Sequence, residues 1–276
     1  IYSQARDSSK IRNFNLKADF TSQLDKFNEV KFGFFVKYTD NNTNYGLRSL
    51  LFSNSNRDFK WDTKPIQGAI YLQDKLEFEA MVATVGLRVE FSDPNSEWFD
   101  YATYDPGFSA SNSTLRDDLI VKRDLPTQVT WMPRLGMAFP ISVDSKLFFN
   151  YGHYQSLPTP VDLYLIDYAS DGGLNSIANP SADLEKTIAY EIGYEHNLFD
   201  QFLLRVTGYY KDISNESIDV DYFSSDGQVT YSRPEPVQYR DIRGFEFQLN
   251  KNRGDWITGF INYNYRVSST GRFGLG

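Results

Sequence analysis

Cysteine is absent from the 276 residues, which removes disulfide frameworks, thiolate metal centres and cysteine nucleophiles together. Methionine is scarce, with three, and histidine scarcer still, with two. No window approaches the ~18 consecutive apolar residues of a membrane-crossing helix, and nowhere does a 3.6-residue apolar repeat persist. Lys/Arg-rich runs are missing too, and with a net charge of -8 this argues against nucleic acid as a partner. The first ten residues carry neither the basic nor the apolar segment of an export signal, so the start reads as a cut and any signal as absent or removed.

Aromatic residues are abundant instead, at 16% of the chain with 19 Tyr and 22 Phe. These residue types favour pleated, half-buried surfaces, which points to an all-β protein. The 41% hydrophobic content and mean hydropathy of -0.48 look like those of a soluble domain. Barrel strands, however, alternate lipid-facing and water-facing side chains, so a membrane barrel has the same averages.

Period two dominates the chain. In 11–24 the apolar Phe14, Leu16, Ala18 and Phe20 alternate with Asn15, Lys17, Asp19 and Thr21, and the pattern returns in 30–38 with Val30, Phe32, Phe34, Val36 and Tyr38. The same alternation marks 66–78 with 81–91, 127–139 with 146–154, 185–197 with 202–211, and 238–250 with 256–267. These pairs read as hairpins. Together they give about ten strands, each near the ~9–11 residues that a tilted bilayer-spanning strand needs.

Connection lengths alternate as well. Tight turns fall near Asp25, Glu79, Val143, Asp200 and Arg253, while long polar excursions occupy 39–63, 92–126, 155–184 and 212–237. Connections in compact soluble domains mostly have ~4–6 residues, whereas outer-membrane barrels join strands by short periplasmic turns and long extracellular loops. The expected fold is therefore an antiparallel transmembrane β-barrel. Within 212–237, Ser224-Ser225-Asp226-Gly227 between two apolar-rich stretches predicts a small projecting hairpin.

One phase of the alternation carries Lys17, Asp19, Arg88, Glu90, Arg134, Glu191, Glu195, Arg205, Glu246, Asn262 and Arg266, too charged for a packed core. It predicts a wet or plug-filled interior. The other carries Phe20, Phe91, Phe139, Tyr154, Tyr194, Tyr210, Tyr263 and Tyr265 toward strand ends, as interfacial girdles require. Gly86, Gly136, Gly193 and Gly208 are expected where a plug or a neighbouring backbone comes close, and Pro133 and Pro140 where a strand starts or stops.

Four segments carry a family resemblance. Residues 70–91, IYLQDKLEFEAMVATVGLRVEF, resemble the YxQDxxxFxxxxxxxGLRxD region of TonB-dependent receptor barrels, and 131–154, WMPRLGMAFPISVDSKLFFNYGHY, resemble their PRLG…YGxxF pair. Residues 179–212, from NPSADLEKT to VTGYYKD, are similar to NPxLKPEKT…VTAYYKD, and 240–265 to RxxGFExxLxK…GxxNYxY. The four occur in the family's order.

The resemblance, of the Bacteroidetes type, implies part of a barrel of about 22 strands, with 1–276 as one partial barrel domain lacking the plug and the remaining strands. It also implies a bacterial outer-membrane location and no enzymatic activity, cofactor or metal. The function it implies is import of a scarce extracellular ligand, energised by a TonB-ExbB-ExbD complex through the plug. Siderophore, glycan, peptide and cobalamin importers share these phrases. Outer-membrane lipid and lipopolysaccharide, and a surface lipoprotein, are the further partners implied. A non-importing structural or secretion-associated barrel stays open as an alternative, as does a small pore closed by ten strands at a tilt of ~35–45°.

Ligand contacts are expected from the loop aromatics Trp98, Phe99, Tyr101, Tyr104, Tyr164, Tyr168, Tyr222 and Phe223, for which packing on one another is the plainer reading. His153 and His196 close adjacent predicted strands without a third metal ligand at fitting spacing. The acidic stretches 93–100, Asp117-Asp118 and Asp219-Val220-Asp221 follow no EF-hand spacing and read as solvated charge. Outer-membrane proteases and lipases use Asp/His or Ser/His constellations, and His153 with Asp167 or Asp171 lacks any nucleophile motif to complete one.

Overall fold

The computed structural model describes residues 3–49, 57–114, 120–251 and 256–273. Along the chain come β1 (Ser3–Asp7), β2 (Lys10–Gln23), β3 (Asn28–Ser49), β4 (Arg57–Thr63), β5 (Ile66–Phe78) and β6 (Met81–Asp93). After β7 (Glu97–Asp100) and β8 (Val121–Asp124) follow β9 (Gln128–Ser142), β10 (Ser145–Ser156), the short helix α1 (Pro160–Tyr164), β11 (Ile166–Tyr168) and β12 (Leu174–Ile177). The last four are β13 (Glu185–Leu198), β14 (Phe202–Phe223), β15 (Thr230–Lys251) and β16 (Gly259–Arg272).

Ten of these strands form one antiparallel wall in the order β2-β3-β5-β6-β9-β10-β13-β14-β15-β16, matching the ten segments read from the alternation. Among the described residues β2 and β16 do not pair with each other, so the wall is an arc with two open edges rather than a closed ten-stranded barrel. In lipid each unpaired edge group costs several kcal/mol.

The register fixes which residues share a face, because paired residues point the same way. One row reads Asn150, Glu191, Tyr209, Gly244 and Arg266; another reads Lys146, Glu195, Arg205, Gln248 and Asn262. Carried across the sheet, this face holds all eleven charged and polar residues assigned to the interior. They satisfy one another in place: Glu195 accepts from Lys146 at 2.9 Å and Arg205 at 2.6 Å, and Asp19 from Lys17 and Tyr71, both at 2.7 Å.

The opposite face is apolar and bare. Phe14, Phe20, Trp131, Ile192 and Ile261 are each about three-fifths exposed. A soluble protein hides such residues, and an exposed apolar surface of this extent marks contact with lipid or another apolar partner. The buried apolar cluster, Phe108, Ile120, Leu174, Ile177, Val229 and Tyr231, lies wholly outside the spanning wall, in the long connections.

One girdle assignment is corrected. Tyr154 pairs with Thr187, two positions along from Gly152 opposite Ala189, and so points inward, where the Arg134 guanidinium lies 4.9 Å from its ring centroid. The other seven aromatics face outward with their registers. Gly208 also faces outward, away from any plug. The space at Gly193 is filled by the Phe148 ring of the adjacent strand and not by backbone. Pro133 sits inside β9 rather than at an end, and Pro140 near its end pairs with Lys146 beside a register shift.

The tight turns near Asp25, Glu79, Val143 and Asp200 all occur at one end of the wall. Asp25 caps its turn by accepting from the Phe27 and Asn28 amides at 2.7 and 2.9 Å. The turn near Arg253, the chain ends and residues 50–56 of the first excursion lie outside the described residues, as does Asp117-Asp118.

At the other end, two expected loops prove largely extended. β3 runs on past the wall to Ser49, flanked by β1 and β4, so much of 39–63 is sheet. β14 and β15 continue, each 22 residues long, to a tight tip, and the projecting hairpin is the end of that ribbon.

Candidate functional site

Three long connections assemble into a single body at the loop end of the wall. The connection 94–127 contributes the β7–β8 pair and two 3-10 turns, Pro106–Phe108 and Ala110–Asn112. The connection 157–184 contributes α1, started by a Thr159–Asp162 capping box. It also supplies β11 and β12, and Ser176 of β12 pairs parallel with Ser232 of β15. The ribbon tip supplies Val229 and Tyr231. All three meet in the buried cluster, where Phe108 and Tyr231 pack edge to face with centroids 5.4 Å apart.

A half-buried polar network secures the ribbon to this body. Arg233 bonds Glu235, reaches the Tyr101 hydroxyl at 3.2 Å and stacks against the Tyr101 and Tyr222 rings. Glu235 accepts from Tyr222 at 2.7 Å and from the Asn179 amide at 3.3 Å. The Tyr231 hydroxyl donates to the Thr103 carbonyl at 2.7 Å. Burial pushes the phenols of Tyr101, Tyr222 and Tyr231 above the ordinary tyrosine value, because an ionised ring loses its hydration here. Sequence reading missed Arg233 and Glu235. Their signal was weak: two charges at spacing two within a Tyr- and Pro-rich stretch.

The candidate aromatics divide into two groups. Trp98, Phe99, Tyr101 and Tyr222 pack against the buried cluster, and Tyr164 is itself buried. Tyr104, Tyr168 and Phe223 are exposed. Tyr104 and Phe223 come together across a recess of about 560 Å³ between the 3-10 turns and the ribbon tip. Pro106, Ser109, Ser111, Asn112, Ser225, Asp226 and Gln228 line it with them. Ser225 and Asp226 belong to the hairpin tip that the sequence marked out, but their pairing with 104–112 was not legible, because the two halves of the recess lie more than a hundred residues apart in the chain.

The recess walls are locally fixed. Asp105 accepts from the Gly107 amide at 2.8 Å, and the Pro106 carbonyl accepts from Ser109 and Asn112 at 2.8 and 3.0 Å. Across it, Asp226 accepts from the Ser224 hydroxyl at 2.6 Å and the Gln228 amide at 3.0 Å, which hold its carboxyl below the usual carboxylate value.

The histidines do not form a metal pair. Both face outward, His153 opposite Ile188 and His196 opposite Ser145, so eight residues of strand, roughly 26 Å, separate their levels. His153 Nε2 lies 2.5 Å from the Tyr151 hydroxyl, and Asp167 instead takes the Asn175 amide at 2.7 Å. Asp219 and Asp221 are exposed on the ribbon.

An open antiparallel wall with an apolar outer face, a charged inner face and loops built up at one end defines an outer-membrane β-barrel. Residues 2–275 match the family model described as TonB dependent receptor-like, beta-barrel, and the chain belongs to that family, whose members are transporters and not enzymes. No curated protein matches in sequence.

Solved structures share the fold. A double mutant of the Serratia marcescens hemophore receptor HasR, in complex with its hemophore HasA and heme, superposes with a TM-score of 0.67 at 14% identity, over 94% of this chain and 42% of that one. The Escherichia coli outer membrane transporter YddB gives 0.63 at 9% identity, over 95% and 34%. The RagAB peptide transporter gives 0.63 at 15%, over 99% and 31%. The chain thus spans about a third to two-fifths of these relatives' length. It is an outer-membrane barrel portion, and because such barrels carry short turns on the periplasmic side and long loops on the extracellular side, the built-up end corresponds to the extracellular one.

Proposed function

We propose that this chain is the ligand-gathering part of an importing receptor. In this reading further strands close the wall at β2 and β16, and a plug fills the charged interior. The loops capture a scarce external ligand, and a TonB-ExbB-ExbD complex acting on the plug drives its release inward. The observation carrying the proposal is that three extracellular connections fold onto one common core and leave an outward recess edged by Tyr104 and Phe223. A barrel serving only as a wall has no need of an ordered, concave loop assembly, whereas ligand sites are concave and largely pre-formed. The solved relatives include a heme-bound hemophore receptor and a peptide transporter, so this wall is compatible with different cargoes and the loops are where choice would lie.

The test is uptake by cells carrying the full-length protein. Ferric siderophore, cyanocobalamin, oligosaccharide and peptide probes are offered with and without a protonophore that collapses the inner-membrane gradient. Import of one probe class that stops with the protonophore supports the proposal. Binding without energy-dependent uptake of any class defeats it and favours the non-importing barrel.

A further inference from the structure

The lining of the Tyr104–Phe223 recess selects a ligand class. Among the described residues no Lys, Arg or His borders it and the one charged lining side chain is Asp226, so an anionic ligand would meet repulsion there. The uncommitted polar atoms are mixed in kind. The Tyr104 and Ser225 hydroxyls and the side-chain carboxamide of Gln228 have no partner among the described residues. Nor do the second carboxylate oxygen of Asp226 and Asn112 Oδ1. Such a set offers donors and acceptors together, which suits groups that both donate and accept, above all hydroxyls.

Two aromatic rings stand at the rim, Tyr104 49% and Phe223 63% exposed. An exposed ring beside hydroxyl-binding groups presents a flat apolar surface to the C–H face of a pyranose, while the carboxylate receives vicinal hydroxyls. The volume of about 560 Å³ falls within the roughly 300–1,000 Å³ of small-molecule sites. We propose that this recess binds a neutral carbohydrate, with Tyr104 and Phe223 as the stacking surfaces and Asn112, Ser225, Asp226 and Gln228 as the hydroxyl-binding groups. The proposal rests on the receptor reading above and deepens it.

Full-length receptor purified from outer membranes is titrated calorimetrically with maltohexaose, cellohexaose and mannohexaose, with a ferric tris-catecholate as the anionic probe and hexalysine as the cationic one. Binding of at least one hexasaccharide is expected. Phe223→Ala and Asp226→Ala should each weaken it roughly tenfold, Phe223→Tyr should retain it, and Val143→Ala, in a turn at the other end, should leave it unchanged. Both recess variants sit at the exposed rim, and a retained far-ultraviolet spectrum and heat-modifiable gel mobility exclude misfolding.

Absence of saccharide binding, or binding indifferent to Phe223→Ala, overturns the carbohydrate assignment. If the ferric complex or hexalysine is instead bound and imported with energy, the ligand class falls and the receptor reading stands. If no probe is imported, the receptor reading falls with it.

Discussion

The guanidinium of Arg233 lies over the ring of Tyr222, 5.1 Å from its centroid, and the hydroxyl of that ring donates to Glu235, the ion-pair partner of Arg233. Three groups from adjacent strands are thereby locked in one closed loop of contacts. Removing one charge leaves the other buried and unpaired. Arg233→Ala should therefore destabilise the extracellular body by about 3 kcal/mol, seen as faster amide exchange in 94–127 and 157–184 with the wall unchanged. Arg233→Met combined with Glu235→Leu should recover part of that loss, and equal loss in the double variant would contradict this account.

Alkali should open the same body. Burial raises the folded-state values of Tyr101, Tyr222 and Tyr231, so the folded form holds their protons more tightly than the unfolded form. Stability from this source is complete below the ordinary tyrosine value of ~10 and is lost as pH rises beyond it toward the folded values. Tyrosinate absorbance near 295 nm should then show a late, cooperative phase accompanying loop opening. A single phase centred on the ordinary value would refute it.

The two faces of the wall predict opposite responses to the same charge. Ile192 faces outward in mid-strand, so Ile192→Lys should cost about 2–4 kcal/mol in bilayer refolding. Asn150 faces inward beside Glu191, 2.9 Å from it, so Asn150→Lys should be close to neutral. Urea titration in lipid vesicles measures both, and comparable losses would invalidate the face assignment.

At the turn between β13 and β14, Phe199 and Asp200 both adopt positive φ, 56° and 55°, and the Gln201 amide closes back on Leu198 at 3.1 Å. This is a type I′ arrangement, costly for Phe and natural for Asn or Gly. Phe199→Asn should raise stability by about 0.5–1 kcal/mol. A drop in the urea midpoint would show that the exposed Phe199 ring contributes to anchoring in the bilayer interface.

The wall was legible because water inside and lipid outside impose a period of two on every spanning strand. Tyr154 shows where that reading fails: an aromatic at a strand end looks like a girdle residue, yet counting phase from Asn150 through Gly152 turns it inward. The outward run of β3 was hidden for the opposite reason. Asn41, Asn42, Thr43 and Asn44 are all polar: the buried face here is filled by Asn41 and Thr43 hydrogen-bonded to each other rather than by apolar side chains, so burial alternates along the strand but hydropathy does not. The loop aromatics were recognisable as a set but not by role. Chain position does not tell the packed Tyr222 from the exposed Phe223 beside it; the register does, by turning Tyr222 onto Tyr231.

β14 and β15 carry both ends of the proposed task on a single piece of backbone. Phe223 at the recess and Arg205 on the inner wall belong to one strand of 22 residues, about 70 Å along its length. Its ladder with β15 slips at two places, between Ile213 and Glu216 and between Glu216 and Ile218. The recess and the charged inner face are therefore joined covalently through a single strand, with Glu216 between them at the level where the ladder is irregular.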